Sequence, residues 1–263
     1  MSDYILISTQ IESFNKKINV SSDKSISIRS ILLASQAVGI SKISNLLESE
    51  DVLNTLKAIK KLGINYTKIR KTYNIQGFGL NGFNINKKTT IDAGNSGTLA
   101  RLILGLLVKS KFRIKLVGDK SLSKRDFSRV VNPLRLLGAD IKSKKNLMPI
   151  QICGTDFLRP ISYNERIGSA QVKSCLILAA LNTPGETIVN SKKSRDHTER
   201  MLKYLKYPIK IQRNKIYDKI SVQGLSQFKS FKYKVPGDIS SAAFFIVITL
   251  LSNNSKIIIK NVN

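Results

Sequence analysis

Apolar positions along this chain change their period in a fixed order: helical spacing, alternation, helical spacing again, then two more alternating runs. After Ser25 the order runs through "IRSILLASQAV", "ISKISNLL", "SEDVLNTLKAIKKLG" and "INYTKI" and closes at "YNIQGFG". After Ser96 it runs through "LARLILGLLV", "FRIKLVG", "RDFSRVVNPLRLLG" and "ADIKS" and closes at "MPIQICG". After Ser169 come "VKSCLILAAL", "ETIVNS", "RDHTERMLKYLK" and "YPIKIQ", closing at "ISVQG". Spacing of three and four places apolar side chains on one helical face, and β-branched alternating runs read as strands. Each unit therefore predicts helix, strand, helix, strand, strand.

Ser25, Ser96, Ser169 and Ser240 open these runs at intervals of 71, 73 and 71 residues. Self-similarity at a fixed period marks a repeat architecture. Three units in register, each closing near a glycine, are too regular for coincidence. The fourth, "ISSAAFFIVITLLSNNSKIIIKNVN", begins like the others and stops after one helix and one strand. Such a partial unit has little to pack against, and Ile257, Ile258 and Ile259 would form a strand short of partners.

Composition narrows the class. A chain of 263 residues with 42% hydrophobic content has room for a buried core and is not disordered. Its longest apolar run, "AAFFIVITLL", is about half of the roughly 20 residues a spanning helix needs. The opening "MSDYILISTQIESFNKK" lacks the basic segment, apolar run and cleavage site of a secretory signal, so the expected address is cytoplasmic, without a membrane partner. Cys153 and Cys175 show neither ligand spacing nor a disulfide framework, and His197 is the single histidine. No metal site is expected.

The formal charge of +27 raises the alternative of a basic RNA- or polyanion-binding protein without catalysis. Against it, the lysines are scattered rather than striped, and the Ile, Asn and Lys richness is what AT-rich coding produces. Aromatic residues are 7% with no Trp, so no interleaved platform for bases is evident. A basic surface attracts phosphorylated small molecules equally well.

The helix openings carry the candidate chemistry. Helix N-termini present unpaired N–H groups and the positive end of the dipole, which suits phosphate. "DKSISIRS" sets Lys24 and Ser25 at such a turn, with Arg29 one turn along. "DAGNSGTLAR" frames Asn95 and Ser96 with Gly94 and Gly97, and Arg101 follows. It is not a P-loop, because the Gly-Lys-Ser/Thr ending is missing. "GDKSLSKRDFSRVV" is read as starting the unit's second helix with Lys120, Lys124, Arg125 and Arg129. "GSAQVKS" brings Ser169, Gln171 and Lys173, and "SRDHTERML" brings Arg195 and His197. Singly, each is an N-cap with basic neighbours or a solvated face; together they form a recurring pattern suited to anions.

"DKSISIRSILLASQA", "GNSGTLARLILGLL", "GDKSLSKRDFSRVVNPLRLLGA", "SAQVKSCLILAAL", "SRDHTERML" and "VPGDISSAAFF" resemble successive signatures of the 5-enolpyruvylshikimate-3-phosphate synthase family, in that family's order and spacing. The resemblance spans residues 23 to 245, and six ordered matches are far more specific than one. It implies an α/β enolpyruvyl-transferase fold of two lobes, each built from three such units. Residues 21–235 would form one complete lobe; residues 1–20 and 236–263 would belong to a second, mostly missing lobe, with crossings near "NVSSD" and "KVPGD". The chain would then be an N-terminal fragment.

The implied reaction moves the enolpyruvyl group of phosphoenolpyruvate to the 5-hydroxyl of shikimate 3-phosphate, releasing phosphate, with no metal or other cofactor. By matching motif, Lys24, Ser25 and Arg29 would contact shikimate 3-phosphate. Lys24 would also lie near phosphoenolpyruvate, as the catalytic residue this chain retains. Gly97 and Arg125 would hold phosphoenolpyruvate. Ser169, Ala170 and Arg195 would take the shikimate phosphate, and Gln171 would lie between the substrates. Asp238 is read as structural. Three departures stand out: Ser21-Ser22 replaces the family's Pro-Gly, Ile28 its histidine, and Asp126-Phe127 its Pro-Met. The family's aspartate base, its glutamate and lysine for proton transfer, and further arginines would fall in the missing lobe. The expectation is weak substrate binding and negligible turnover, from a monomer or from a chain whose missing lobe another chain supplies.

Overall fold

The computed structural model describes residues 13–85 and 88–263. It opens with strand β1 (Asn15–Asn19). The first unit is α1 (Lys24–Gln36), β2 (Val38–Ser44), α2 (Glu50–Lys61), β3 (Tyr66–Ile69) and β4 (Thr72–Phe78). The second is β5 (Thr89–Asp92), α3 (Gly97–Leu106), β6 (Ile114–Val117), α4 (Ser128–Leu136), β7 (Asp140–Lys142) and β8 (Ile150–Cys153). The third is β9 (Ser162–Glu165), α5 (Ala170–Leu181), β10 (Glu186–Lys192), α6 (His197–Tyr204), β11 (Ile209–Arg213) and β12 (Tyr217–Gln223). Then follow β13 (Lys232–Lys234), α7 (Ile239–Leu251) and β14 (Lys256–Lys260).

The expected order of helices and strands is present, and each unit gains a leading strand that the pattern did not predict. The sheets run β13-β2-β4-β3, β5-β6-β8-β7 and β9-β10-β12-β11. In each, the leading strand pairs in parallel and the other three are antiparallel. The first sheet takes its leading strand from β13, near the end of the chain, where Tyr233 registers with Ile43. The repeat thus closes on itself, first unit to last.

Two kinds of helix result. α2, α4 and α6 bury one stripe; in α2 it is Val52, Thr55, Leu56, Ala58 and Ile59, the i, i+3, i+4, i+7 rule of a surface helix. α1, α3 and α5 are buried almost all round. Each Leu or Ile so enclosed contributes ~1.5–3 kcal/mol. Buried hydroxyls in α1 bond back to their own helix: Ser27 Oγ to Asp23 O at 2.8 Å, Ser30 Oγ to Ser27 O at 2.8 Å and Ser35 Oγ to Leu32 O at 2.7 Å. α3 and α5 approach closely because residue 105 is glycine: a Cβ there would stand 2.2 Å from the Cys175 carbonyl oxygen.

At the crossings, Asp23 N donates to Pro236 O at 2.9 Å and Asp238 N to Ser21 O at 2.8 Å, so the two segments run side by side. β14 has one partner in a two-stranded sheet, pairing in parallel with β1, Ile258 against Lys17, and so is short of partners as the sequence suggested. α7 is different. Ala242 is its buried residue, while Phe244, Leu250 and Leu251 are 75%, 78% and 82% exposed.

Candidate functional site

Capping decides where each central helix starts. Asp23 caps α1, its Oδ1 accepting from Ile26 N at 2.7 Å. Lys24 and Ser25 therefore lie inside the first turn rather than before it. Ser96 caps α3, accepting from Leu99 N at 3.2 Å, and Ser169 caps α5, accepting from Val172 N at 3.4 Å. These are the side chains that reach the otherwise unpaired first-turn donors. Asp238 caps α7 through Ser240 N at 2.8 Å, the structural role expected of it.

A closed ring of contacts links the helix starts to one another. At the α1 start, Lys24 Nζ reaches Asp51 Oδ2 of α2 at 3.0 Å. The next residues of α2, Glu50 and Asn54, line the loop at Gly94. In that loop Asn95 Oδ1 accepts from Arg125 Nη2 at 2.8 Å, and Asn95 Nδ2 donates to Asp119 Oδ2 at 2.6 Å. Arg125 lies over Gly97: a Cβ at 97 would be 3.1 Å from Arg125 Nη1 and 2.8 Å from Arg101 Nη1. Arg101 Nη1 donates to Gln171 Oε1 at 3.0 Å, and Gln171 Nε2 to Thr98 Oγ1 at 3.0 Å, joining α3 to the α5 start. One turn further, Ser174 Oγ accepts from Thr198 Oγ1 of α6 at 2.8 Å and from Arg29 Nη2 of α1 at 2.9 Å. Arg29 Nε donates to Thr198 Oγ1 at 2.8 Å and its Nη1 to Ser25 O at 3.0 Å, which returns the ring to α1.

The predicted residues divide by exposure. Lys24, Arg125 and Arg195 are exposed, and Ser25, Ser169, Ala170 and Gln171 are half-buried. Gly97 is buried beneath the two guanidinium groups. Arg29 is only 3% exposed and is held by its neighbours; burial first, then the charge of Arg195, pull its pKa down to about 10 against the opposing pull of Glu199 and Asp23. Arg195 stands at the start of α6 with Nη2 3.2 Å from Ser240 Oγ. It lines a cavity of about 440 Å³ that also includes His197, Arg200, Tyr204 and Tyr233. Burial and then the Arg29 charge hold the His197 imidazole below its ordinary value, so it is neutral at pH 7.

Two expectations need correction. Leu122–Lys124 form a short 3-10 turn and Arg125 is extended, φ −80° and ψ 140°, so α4 begins only at Ser128. Lys120, Lys124 and Arg125 sit in the loop before it, held by Asp119, whose Oδ1 accepts from Leu122 N at 2.7 Å. That bond and the one from Asn95 outweigh a small desolvation effect and keep the Asp119 carboxyl below its usual range. Lys173 does not face the ring's opening. It is 1% exposed and pairs with Glu199 of α6 at 2.7 Å.

Arg101, one turn after Gly97, is the largest omission from the predicted set. Its guanidinium stacks 4.8 Å from the Phe127 ring centroid and, with Gln171 and Arg129, lines a cavity of about 290 Å³. Burial, then Arg125 and Arg129, lower its pKa. Among the described residues Arg101, Arg125 and Arg195 form no ion pair; their partners are neutral. Asp126 and Asp119 lie near Arg101 and Arg125 without pairing with them, and three guanidinium groups beside helix N-termini suit anions.

The model of the EPSP synthase (3-phosphoshikimate 1-carboxyvinyltransferase) family matches residues 8–263. A 3-phosphoshikimate 1-carboxyvinyltransferase of Ruthia magnifica is 46% identical over 247 residues, 94% of this chain and 56% of the relative. One from Streptococcus sanguinis is 39% identical over 259 residues, 97% of this chain and 60% of the relative. The solved EPSP synthase of Acinetobacter baumannii superimposes with a TM-score of 0.87 at 38% identity, covering 95% of this chain and 56% of that one. The chain spans between half and two thirds of the length of these relatives. With its repeats, its closed sheet arrangement and its ring of cationic helix starts, the chain belongs to the EPSP synthase family.

Proposed function

We propose that this chain supplies one gripping face of an enolpyruvyl transfer from phosphoenolpyruvate to shikimate 3-phosphate. The supporting observation is the ring itself: three central helix starts are linked, and among the described residues the side-chain hydrogen bonds of Arg101, Arg125 and Arg195 go to neutral partners. Residues 21–235 act as one lobe; the segments 1–20 and 236–263, joined through β1 and β14, belong to the other. In this reading Ser169, Ala170 and Arg195 hold the shikimate phosphate, and Ser25 and Lys24 the ring. Arg125 over Gly97 holds phosphoenolpyruvate, and Gln171 lies between the two. Lys24 serves both substrates by turning its exposed ammonium from Asp51 toward them. Arg29 contacts shikimate 3-phosphate with Lys24 and Ser25 and also orders the α1 start through Ser25 O. The pathway is aromatic amino-acid biosynthesis and the setting the cytoplasm.

In the reaction the 5-hydroxyl gives up its proton and adds to the enol carbon as the methylene end is protonated; the tetrahedral adduct then loses phosphate from that carbon and a proton from the new methyl group, which restores the enol double bond. Fixed cations and N–H dipoles stabilise the charge that develops, because they are oriented before the substrates arrive. Proton transfer needs groups outside the matched motifs of this chain. It therefore binds substrates as a monomer and turns over only when the rest of the active site is supplied, in cis or by another chain. Titration calorimetry with shikimate 3-phosphate tests the binding. Saturable heat that Arg195→Ala reduces supports it, and a phosphate-release assay showing normal turnover by this chain alone overturns the division of labour.

The charge of +27 supports a second reading, polyanion binding. It requires tight RNA binding that falls steeply with salt. Protection by shikimate 3-phosphate with none from equimolar phosphate removes it.

A further inference from the structure

Upstream of α5, Glu165 at the end of β9 is 4% exposed, an unusual depth for a carboxylate. It is wrapped by its own loop. Oε1 accepts from Ile167 N at 3.2 Å, and Oε2 accepts from Gly168 N at 2.7 Å and Ser169 N at 3.0 Å. The Ser191 hydroxyl of β10 lies 3.3 Å from the same Oε2. While the Ser191 hydroxyl has its shorter bond to Lys192 O at 2.9 Å, three successive backbone donors converge on one carboxylate, the arrangement an anion-binding nest offers to phosphate. Here the anion belongs to the chain.

The consequence falls on the next residue. Ser169 is held on both sides, its N–H by Glu165 and its Oγ by Val172 N. The first-turn donors that remain at the helix end belong to Ala170 and Gln171. We propose that Glu165 is a positioning residue for the anion site at the α5 start, holding Ser169 and the first-turn N–H groups in the orientation that receives phosphate. This rests on the proposed shikimate 3-phosphate reading and adds a residue to it. The charge of Glu165 would by itself repel a phosphate; three charge-assisted hydrogen bonds absorb it, and what reaches the ligand is the fixed geometry.

Sign separates the alternatives. Glu165→Gln keeps a single acceptor oxygen, so in either amide orientation an NH2 group faces at least one of the Ile167, Gly168 and Ser169 donors, and the loss of charge weakens the rest and loosens the turn. Positioning then predicts about tenfold weaker shikimate 3-phosphate binding, the size of one lost hydrogen bond to a charged group. It also predicts that Ser169→Ala adds little to the loss already caused by Glu165→Gln. The experiment is calorimetric titration of the full chain, wild type, both single variants and the double, with melting temperatures measured on each. Tighter binding by Glu165→Gln would show simple charge repulsion. A lowered melting temperature with unchanged affinity would show a purely structural role, and additive losses would show that Glu165 does not act through Ser169. Any of these overturns the inference while leaving the substrate reading intact. Absence of wild-type binding overturns both.

Discussion

Lys173 and Glu199 carry opposite charges into positions 1% and 2% exposed, 2.7 Å apart. Desolvating two ions is offset only while both are present, so removing one is far worse than replacing both. Lys173→Ala is expected to cost about 3–5 kcal/mol in chemical unfolding, whereas Lys173→Met with Glu199→Leu is expected to be near neutral. His197 contributes in the acid range. Its folded pKa lies below the ordinary 6.5, so the stability it lends is present above that value and is lost as pH falls. His197→Gln should flatten the acid limb of stability below pH 6.5 in urea titrations. Part of this was legible in the letters. Lys173 inside "VKSCLILAAL" reads with the cationic helix starts, because its partner Glu199 lies in another helix and nothing local points to it. Arg29 could be read as a cation near a helix start; its burial depends on Ser174 and Thr198, which only the fold brings near.

The α3–α5 contact is close enough to require a glycine. Gly105→Ala would drive a methyl against the Cys175 carbonyl, backbone that cannot yield as a flexible side chain would. Overpacking of this kind costs ~1–3 kcal/mol, and a lower melting temperature is the expected result. The same crossing seals Cys175, whose thiol burial pushes up to about 12. A thiol reagent at neutral pH should modify half-buried Cys153 before unfolding and Cys175 only during it. Helices and long strands were readable because their periods extend over enough residues. The leading strands were not. "TTID", "SYNE" and "KYK" are three or four residues long, without a distinctive alternation, and β13 takes its place from a partner some 190 residues earlier.

Over the whole molecule, the 71 to 73 residue period foretold three like units and a curtailed fourth. It could not tell that β13 closes the first unit or that β1 partners β14. α7 displays Phe244, Val247, Leu250 and Leu251 to solvent, an apolar patch of a kind that promotes association. Phe244→Lys with Leu251→Lys should lower dye binding and light scattering without lowering the melting temperature. The central claim concerns the opposite feature, the ring of helix starts. Backbone amide NMR of the full chain titrated with shikimate 3-phosphate tests it most directly. Shifts concentrated at Ser25, Ser169, Ala170 and Gln171 and saturating together are the predicted result; shifts scattered among surface lysines, or none, would contradict it.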